Sequence, residues 1–268
     1  MSGPDILQQN TGRLQTAMGQ CFPGTHTIFR GHDLHQELLD MDWVGLYVFS
    51  ITGRKLSDAQ VRMLHAIWVC TSYPDTRLWN NRVASLAASN RSSANLGIVA
   101  GLALSEATTY GGQAGLRSIT FITQAMQKVE QGASIEDVVL AEKAARRIYG
   151  YGRPINSIDE RNPFIMQVAR ENGLDQGKHV LLAHEIEKVL VPRFPKLKMN
   201  YAALHAALIA DMGLTPRDYQ MVRVPTFLAG MPPCVADAAA KPEGTLFPTP
   251  CSGIAYEGVA GRVWPPSR

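Results

Sequence analysis

Residues 82–112, RVASLAASNRSSANLGIVAGLALSEATTYGG, are dominated by alanine, serine and glycine and contain few bulky side chains. Small side chains let helix backbones approach closely. The run therefore predicts a tightly packed central helix pair or a subunit interface. An ordinary buried helix is the bland alternative.

Helix punctuation surrounds this segment. Ser57 and Gln60 make a capping box that opens SDAQVRMLHAIWVCTSYP, with an apolar stripe at Val61, Leu64, Ala66, Ile67 and Trp68. Tyr73-Pro74 closes it, because the proline ring disfavours helical geometry in the residue before it. Ser134 and Asp137 open a second helix, expected to run to Gly150. Asn162 reads as the cap of NPFIMQVARENG, with Pro163 at the first helical position and Gly173 past the end. Asn200 reads as the cap of a helix ending at Gly213. Only THTIFRG suggests a strand or extended arm, and the stretch from Pro232 onward is expected to wrap over a surface or a partner subunit. The fold class is all-α.

A chain of 268 residues with 46% hydrophobic residues can bury one large core or two modest ones. Its 26 Lys and Arg against 23 Asp and Glu form no basic block, so nucleic acid is not an expected partner. Cys21, Cys70, Cys234 and Cys251 are far apart and match neither a zinc site nor a disulfide framework. No metal is expected, and His179, His184 and His205 lack metal-ligand spacing. No apolar run is long enough to span a bilayer, and the N-terminus lacks signal-peptide features, so no membrane partner and a cytoplasmic location are expected.

The loop GYGRPINSIDERNP, residues 150–163, holds two glycines and a proline beside Arg153, Asp159, Glu160 and Arg161. It resembles the GFGHPVY…DPR loop of the citrate synthase superfamily, most closely its short citryl-CoA lyase-like members. FRGHDL with ITGRKLSDAQ resembles RGYD…LTGRLPT, LKMNYAALHAALIADMGL resembles the PNVDFYSG helix, and YEG near the end is similar to YVGP. The matches run in order from about Phe29 to Pro266. The resemblance implies an all-helical homodimer with a large domain, here 1–113 and 207–268, and a smaller mobile domain, 114–206. The site would lie in the cleft between them.

The resemblance also implies three replacements at the chemical centre. The family's first catalytic histidine falls on Tyr110, its second on Arg153, and its aspartate base on Asn200. An acceptor-binding histidine falls near Tyr73, and the arginine of DPR is retained as Arg161. The later C-terminal arginines fall near Met231 and Phe247. An amide cannot serve as a base, so Asn200 removes proton abstraction. Tyr110 and Arg153 keep hydrogen-bond donation to a developing oxyanion, with a charge on Arg153 that does not switch off. Each has a structural reading as well: Asn200 as a helix cap, Tyr110 as a space filler, Arg153 in a salt bridge with Asp159 or Glu160, and Arg161 holding its own loop.

No cofactor is assigned from the residues themselves; a coenzyme A thioester is the one the resemblance implies. By resemblance its adenine would meet the backbone around Gly150 and Gly152, with Arg146 and Arg147 near its phosphates. That arginine pair also suits a helix C-terminus without any ligand. Three functions follow. One is a repurposed enzyme forming, closing, cleaving or rearranging carbon–carbon bonds in an easily enolised carboxylate or β-dicarbonyl intermediate of a specialised biosynthetic pathway. The second is a citryl-CoA lyase or acyl-CoA condensing enzyme with a different acceptor, using Asp159, Asp211 or His205 as base. The third is a non-catalytic binding paralogue.

Overall fold

The computed structural model describes residues 3–12, 15–109, 111–145, 147–153 and 158–264. A short helix, α1 (Gly3–Gln9), precedes a three-stranded antiparallel sheet of β1 (Gly19–Phe22), β2 (His26–Phe29) and β3 (His32–Asp33) in that order. Its register pairs Gly19 with Phe29 and Phe22 with His26, then Ile28 with Asp33. The sequence reading found β2 and missed its partners. Pro23 and Gly24 make the turn, with Gly24 at φ 79° and Thr25 N donating to Phe22 O at 3.0 Å. Proline followed by glycine at these positions is a type II turn signature.

Helices make up the rest of the ordered elements: α2 (Trp43–Thr52), α3 (Asp58–Thr71), α4 (Trp79–Ser89), α5 (Ala94–Leu104) and α6 (Gly112–Glu130). They continue with α7 (Ile135–Ala145), α8 (Arg161–Glu171), α9 (Lys178–Arg193) and α10 (Tyr201–Asp211). The last are α11 (Pro216–Val222), α12 (Val224–Leu228) and α13 (Met231–Ala239), followed by a single 3-10 turn at Cys251–Gly253. The Ser57–Gln60 capping box is formed as expected.

Helix α10 is the axis of the main core. Ala203 through Ala210 are all buried, and α6, α8 and α9 pack around it. A helix apolar on every side belongs inside, not on a surface. Arg30 donates to Ser50 O and Ile51 O, both at 2.8 Å, and so closes the C-terminus of α2. Arg54 closes α10 through Met212 O and Gly213 O at 2.8 and 2.7 Å. Cations placed on terminal carbonyls satisfy groups that have no partner within the helix.

The small-residue segment is a close pair of helices, α4 and α5, broken at 90–93 where Arg91 adopts φ 57°. Three local expectations are corrected. Helix α7 ends at Ala145, before Gly150. Helix α8 starts at Arg161, so Asn162 lies inside it and donates from Nδ2 to Met199 O at 3.1 Å instead of capping. The stretch after Pro232 begins as α13, with prolines in its first turn where a missing N–H costs nothing. Beyond it, Tyr256, Val263 and Trp264 are exposed.

The α4–α5 contact is close enough to be tested. A Cβ on Gly101 would lie 2.7 Å from Asn80 O and 2.8 Å from Met231 Sδ. Alanine gains about 1 kcal/mol of helix propensity over glycine, but overpacking a filled interface costs about 1–3 kcal/mol. Gly101→Ala is therefore expected to lose about 1 kcal/mol in a denaturant melt. A gain in stability would show that these helices do not meet so closely.

Candidate functional site

The glycine loop is fastened to the segment that leads into α10. Gly152 N donates to Lys198 O at 2.7 Å, and Asn200 N to Gly150 O at 2.9 Å. Gly150 and Gly152 hold φ of 88° and 90°, a region side chains rarely adopt. At Gly150 there is also no room, since a Cβ would sit 2.7 Å from the Ala203 methyl. Asn200 uses both ends of its amide. Its Oδ1 accepts from Ala202 N at 2.9 Å, capping α10, and its Nδ2 donates to Gly152 O at 2.7 Å.

Asp159 sits beside this cap with 1% exposure. Its two oxygens accept from Arg161 Nε and Nη2, each at 2.8 Å, and Oδ2 also accepts from Tyr201 N at 2.8 Å. Burial pushes its pKa upward, but the hydrogen bonds and charge of Arg161 and the Tyr201 amide outweigh that and hold it below the usual carboxylate range. The Arg161 guanidinium lies 4.4 Å from the Tyr201 ring centroid and 5.7 Å from that of Tyr73.

Nearer solvent, Arg153 Nη1 donates to Glu160 Oε2 at 2.7 Å and to Ile158 O at 3.1 Å. Tyr73 Oη donates to Glu160 Oε1 at 3.0 Å. Glu160 thus joins the end of α3 to the glycine loop. The hydrogen bond from Arg153 is the main reason its pKa is lowered. Arg153 both lines the cavity and makes the salt bridge foreseen in the sequence.

These residues surround a cavity of about 570 Å³. Arg77, Arg147, Arg153, Arg161 and Arg223 line it, and Asp159 is the lone carboxylate among the described lining residues. Tyr73, Asn200, Gly150 and Gly152 are brought to the same cavity. Tyr110 and Arg146 lie outside the described residues. Arg147 is exposed at the rim. Met231 is buried in a small core with Ala84 and Val235, and Phe247 packs under Arg82, so neither position supplies a cation.

Of the candidate bases, Asp211 is removed from consideration. Its carboxylate accepts from His179 N, Val180 N and His179 Nδ1 at 2.8–3.0 Å, fixing the start of α9 away from the cavity lining. Asp159 is fully engaged. His205 lines the cavity at 1% exposure. Its Nδ1 lies 2.9 Å from Tyr201 Oη and 3.3 Å from Tyr219 Oη. Burial, then the charges of Arg223 and Arg161, lower its pKa to about 3, so it is neutral at physiological pH. No group of three or more His, Cys, Asp or Glu among the described residues is placed to hold a metal ion.

Arg223 escaped the sequence reading. It lies in MVRVP, one cation among apolar neighbours, and that isolation was the available signal. Its side chain is 3% exposed, and Nη2 donates to Glu106 Oε1 and Oε2 at 2.6 and 2.8 Å.

A citryl-CoA lyase from Hydrogenobacter thermophilus superposes with TM-score 0.78 at 23% identity, covering 94% of this chain and 97% of the other. The chain has the citrate synthase fold. An ATP citrate lyase from Methanothrix soehngenii, in complex with citrate and coenzyme A, matches with TM-score 0.75 and 15% identity over 97% of this chain and 45% of its own. A citrate synthase from Thermoplasma acidophilum, in a ternary complex with carboxymethyl coenzyme A and oxaloacetate, gives TM-score 0.65 and 15% identity over 84% and 59%. No family model matches the sequence, and no curated protein matches it. None of the described helices is long and apolar enough to cross a membrane.

Within this version of the citrate synthase fold, His205 predicts a pH effect. The folded protein refuses its proton down to about pH 3, whereas the unfolded chain accepts one near 6.5. Between those values the unfolded state binds more protons, so stability is full above 6.5 and falls as pH drops. From pH 7 to pH 5 the loss from this residue is about 2 kcal/mol. Urea melts at the two pH values should show a smaller acid loss in His205→Gln. An unchanged loss would mean that His205 is protonated in the fold.

Proposed function

We propose that this chain is an enzyme that makes or breaks a carbon–carbon bond in an anionic, easily enolised substrate, a carboxylate or β-dicarbonyl acid. We place it in a specialised biosynthetic pathway. The observation that carries the reading is the lining of the cavity: five arginines face one carboxylate, and that carboxylate is consumed by Arg161 and Tyr201. Four of these arginines also meet carboxylates, Arg77 with Asp75, Arg153 with Glu160, Arg161 with Asp159 and Arg223 with Glu106, so the lining offers guanidinium donors more than net charge.

In this reading Arg161 and Arg153 hold the substrate's carboxylate and developing enolate oxygen, and by resemblance Tyr110 would donate to that oxygen. Tyr73 borders the same site. Asn200 positions the loop through Gly152 and supplies no base, so the substrate must be acidic already or must release an enolate by cleavage. A thioester substrate is supported by the coenzyme A and carboxymethyl coenzyme A in the similar structures. Gly150, Gly152, Arg146 and Arg147 are the residues that would meet it. The full-length likeness to a citryl-CoA lyase favours, as a second reading, a lyase acting on a different acyl-CoA.

Residues 114–206 would form a smaller domain closing on 1–113 and 207–268, and two chains would pair. Leu96 and Val99 stand exposed on α5, which supports pairing through the small-residue helices. Light scattering at micromolar concentration should give about twice the chain mass of 29.3 kDa. A monomer would remove that interface.

With acetyl-CoA and oxaloacetate, thiol release is expected to stay far below a median enzyme's turnover of roughly 10 per second. Turnover near that value would show that a base acts in the cleft. Arg153→Met should weaken citrate binding by about 1.5–3 kcal/mol, as for a charge-assisted hydrogen bond. Its melting temperature should change little, because the Glu160 partner is half exposed. A lower melting temperature with normal citrate binding would make Arg153 purely structural.

A further inference from the structure

Two buried polar side chains on the inner wall of the cavity are left incomplete. Arg223 is 2% exposed, and neither Nε nor Nη1 has a hydrogen-bond partner among the described residues. His205 is 1% exposed, and its Nε2 is likewise unpartnered. Buried donors without acceptors are rare, and leaving one unmet is costly. Two such side chains lining one cavity mark a place where a ligand supplies the missing acceptors.

The surroundings fix what these groups offer. Tyr201 and Tyr219 both bring hydroxyls to His205 Nδ1, so when they donate, the ring proton resides on Nε2. Neutral His205 is then a hydrogen-bond donor at this wall. Arg223 offers three N–H groups beyond the pair directed at Glu106. Its guanidinium lies over the N-terminus of α6, where a Cβ on Gly112 would overlap Nη1. The positive end of a nineteen-residue helix adds to the same field. Glu106 offsets part of it from outside the lining.

We propose that Arg223 and His205 form a second oxyanion subsite on the inner wall, which takes a carboxylate of an organic acid separate from the groups held by Arg161 and Arg153. The inference builds on the proposed function and narrows it: the substrate carries at least two anionic oxygen centres, one for Arg161 and Arg153 and one for Arg223 and His205. Specificity for a diacid over a monoacid then rests on Arg223.

Citrate titrations by calorimetry on the full chain, at low salt and pH 7, test this. Arg223→Lys keeps a charge opposite Glu106 but loses the fork of donors, and should weaken citrate at least tenfold. Glu106→Gln removes the competing carboxylate and should tighten citrate severalfold. Because Glu106 is half exposed, that variant guards against misfolding of the first. The imidazole Nε2–H resonance of His205 should shift as citrate is added. Equal citrate affinity in all three proteins, or no citrate binding by the unaltered protein at about 1 mM, overturns the subsite. Weakened citrate binding in Arg223→Lys without carbon–carbon chemistry on any substrate keeps the subsite and removes the enzymatic reading. Unimpaired turnover and affinity in Arg223→Lys does the reverse.

Discussion

The buried carboxylate of Asp159 organises the cleft. It takes two hydrogen bonds from the Arg161 side chain, one from the Arg161 backbone and one from the first backbone N–H of α10, so it ties the start of α8 to the start of the central core helix. A carboxylate at a helix N-terminus is favoured by the dipole and by the free N–H groups there. Breaking this pair would strand either a buried anion or an arginine among tyrosines, a loss of about 3–5 kcal/mol for a buried ion pair. The position of Arg161 and the entry of α10, with Asn200 as its cap, therefore stand or fall together.

That arrangement has a chemical cost and a chemical use. Asp159 is the one acid that reaches the cavity among the described residues, and structure consumes it. Asn200 is equally committed, one end of its amide to the helix and the other to the glycine loop. What remains facing the space is cationic or neutral: arginines, tyrosines and a histidine held neutral by burial and by its arginine neighbours. We infer that such a wall stabilises negative charge on oxygen without removing a proton from carbon, which suits substrates whose enolate is already accessible.

Local grammar made part of this legible. The Ser57–Gln60 box, the Asn200 cap and the alanine-rich helix pair are short-range patterns with a short-range cause, and they can be read from neighbours in the chain. The β1–β2 hairpin is equally local, but strands of only four residues each leave too little alternation beside the Pro23-Gly24 turn to mark it. Asn162 misled because it precedes a proline, yet Asp159 and Arg161 start the helix earlier by their own pairing. Arg223 could not be read at all. Its partner Glu106 is 117 positions away, and its free donors are defined by a cavity that exists only in the folded chain.

We propose that the cleft stabilises enolates but lacks a base able to deprotonate an ordinary acyl thioester. Solvent deuterium exchange followed by proton NMR measures this directly. With the protein in deuterium oxide, the methyl protons of acetyl-CoA should not exchange above background, while exchange at C2 of acetoacetyl-CoA should be accelerated. Rapid deuteration of the acetyl-CoA methyl group would mean that a base does act in the cleft.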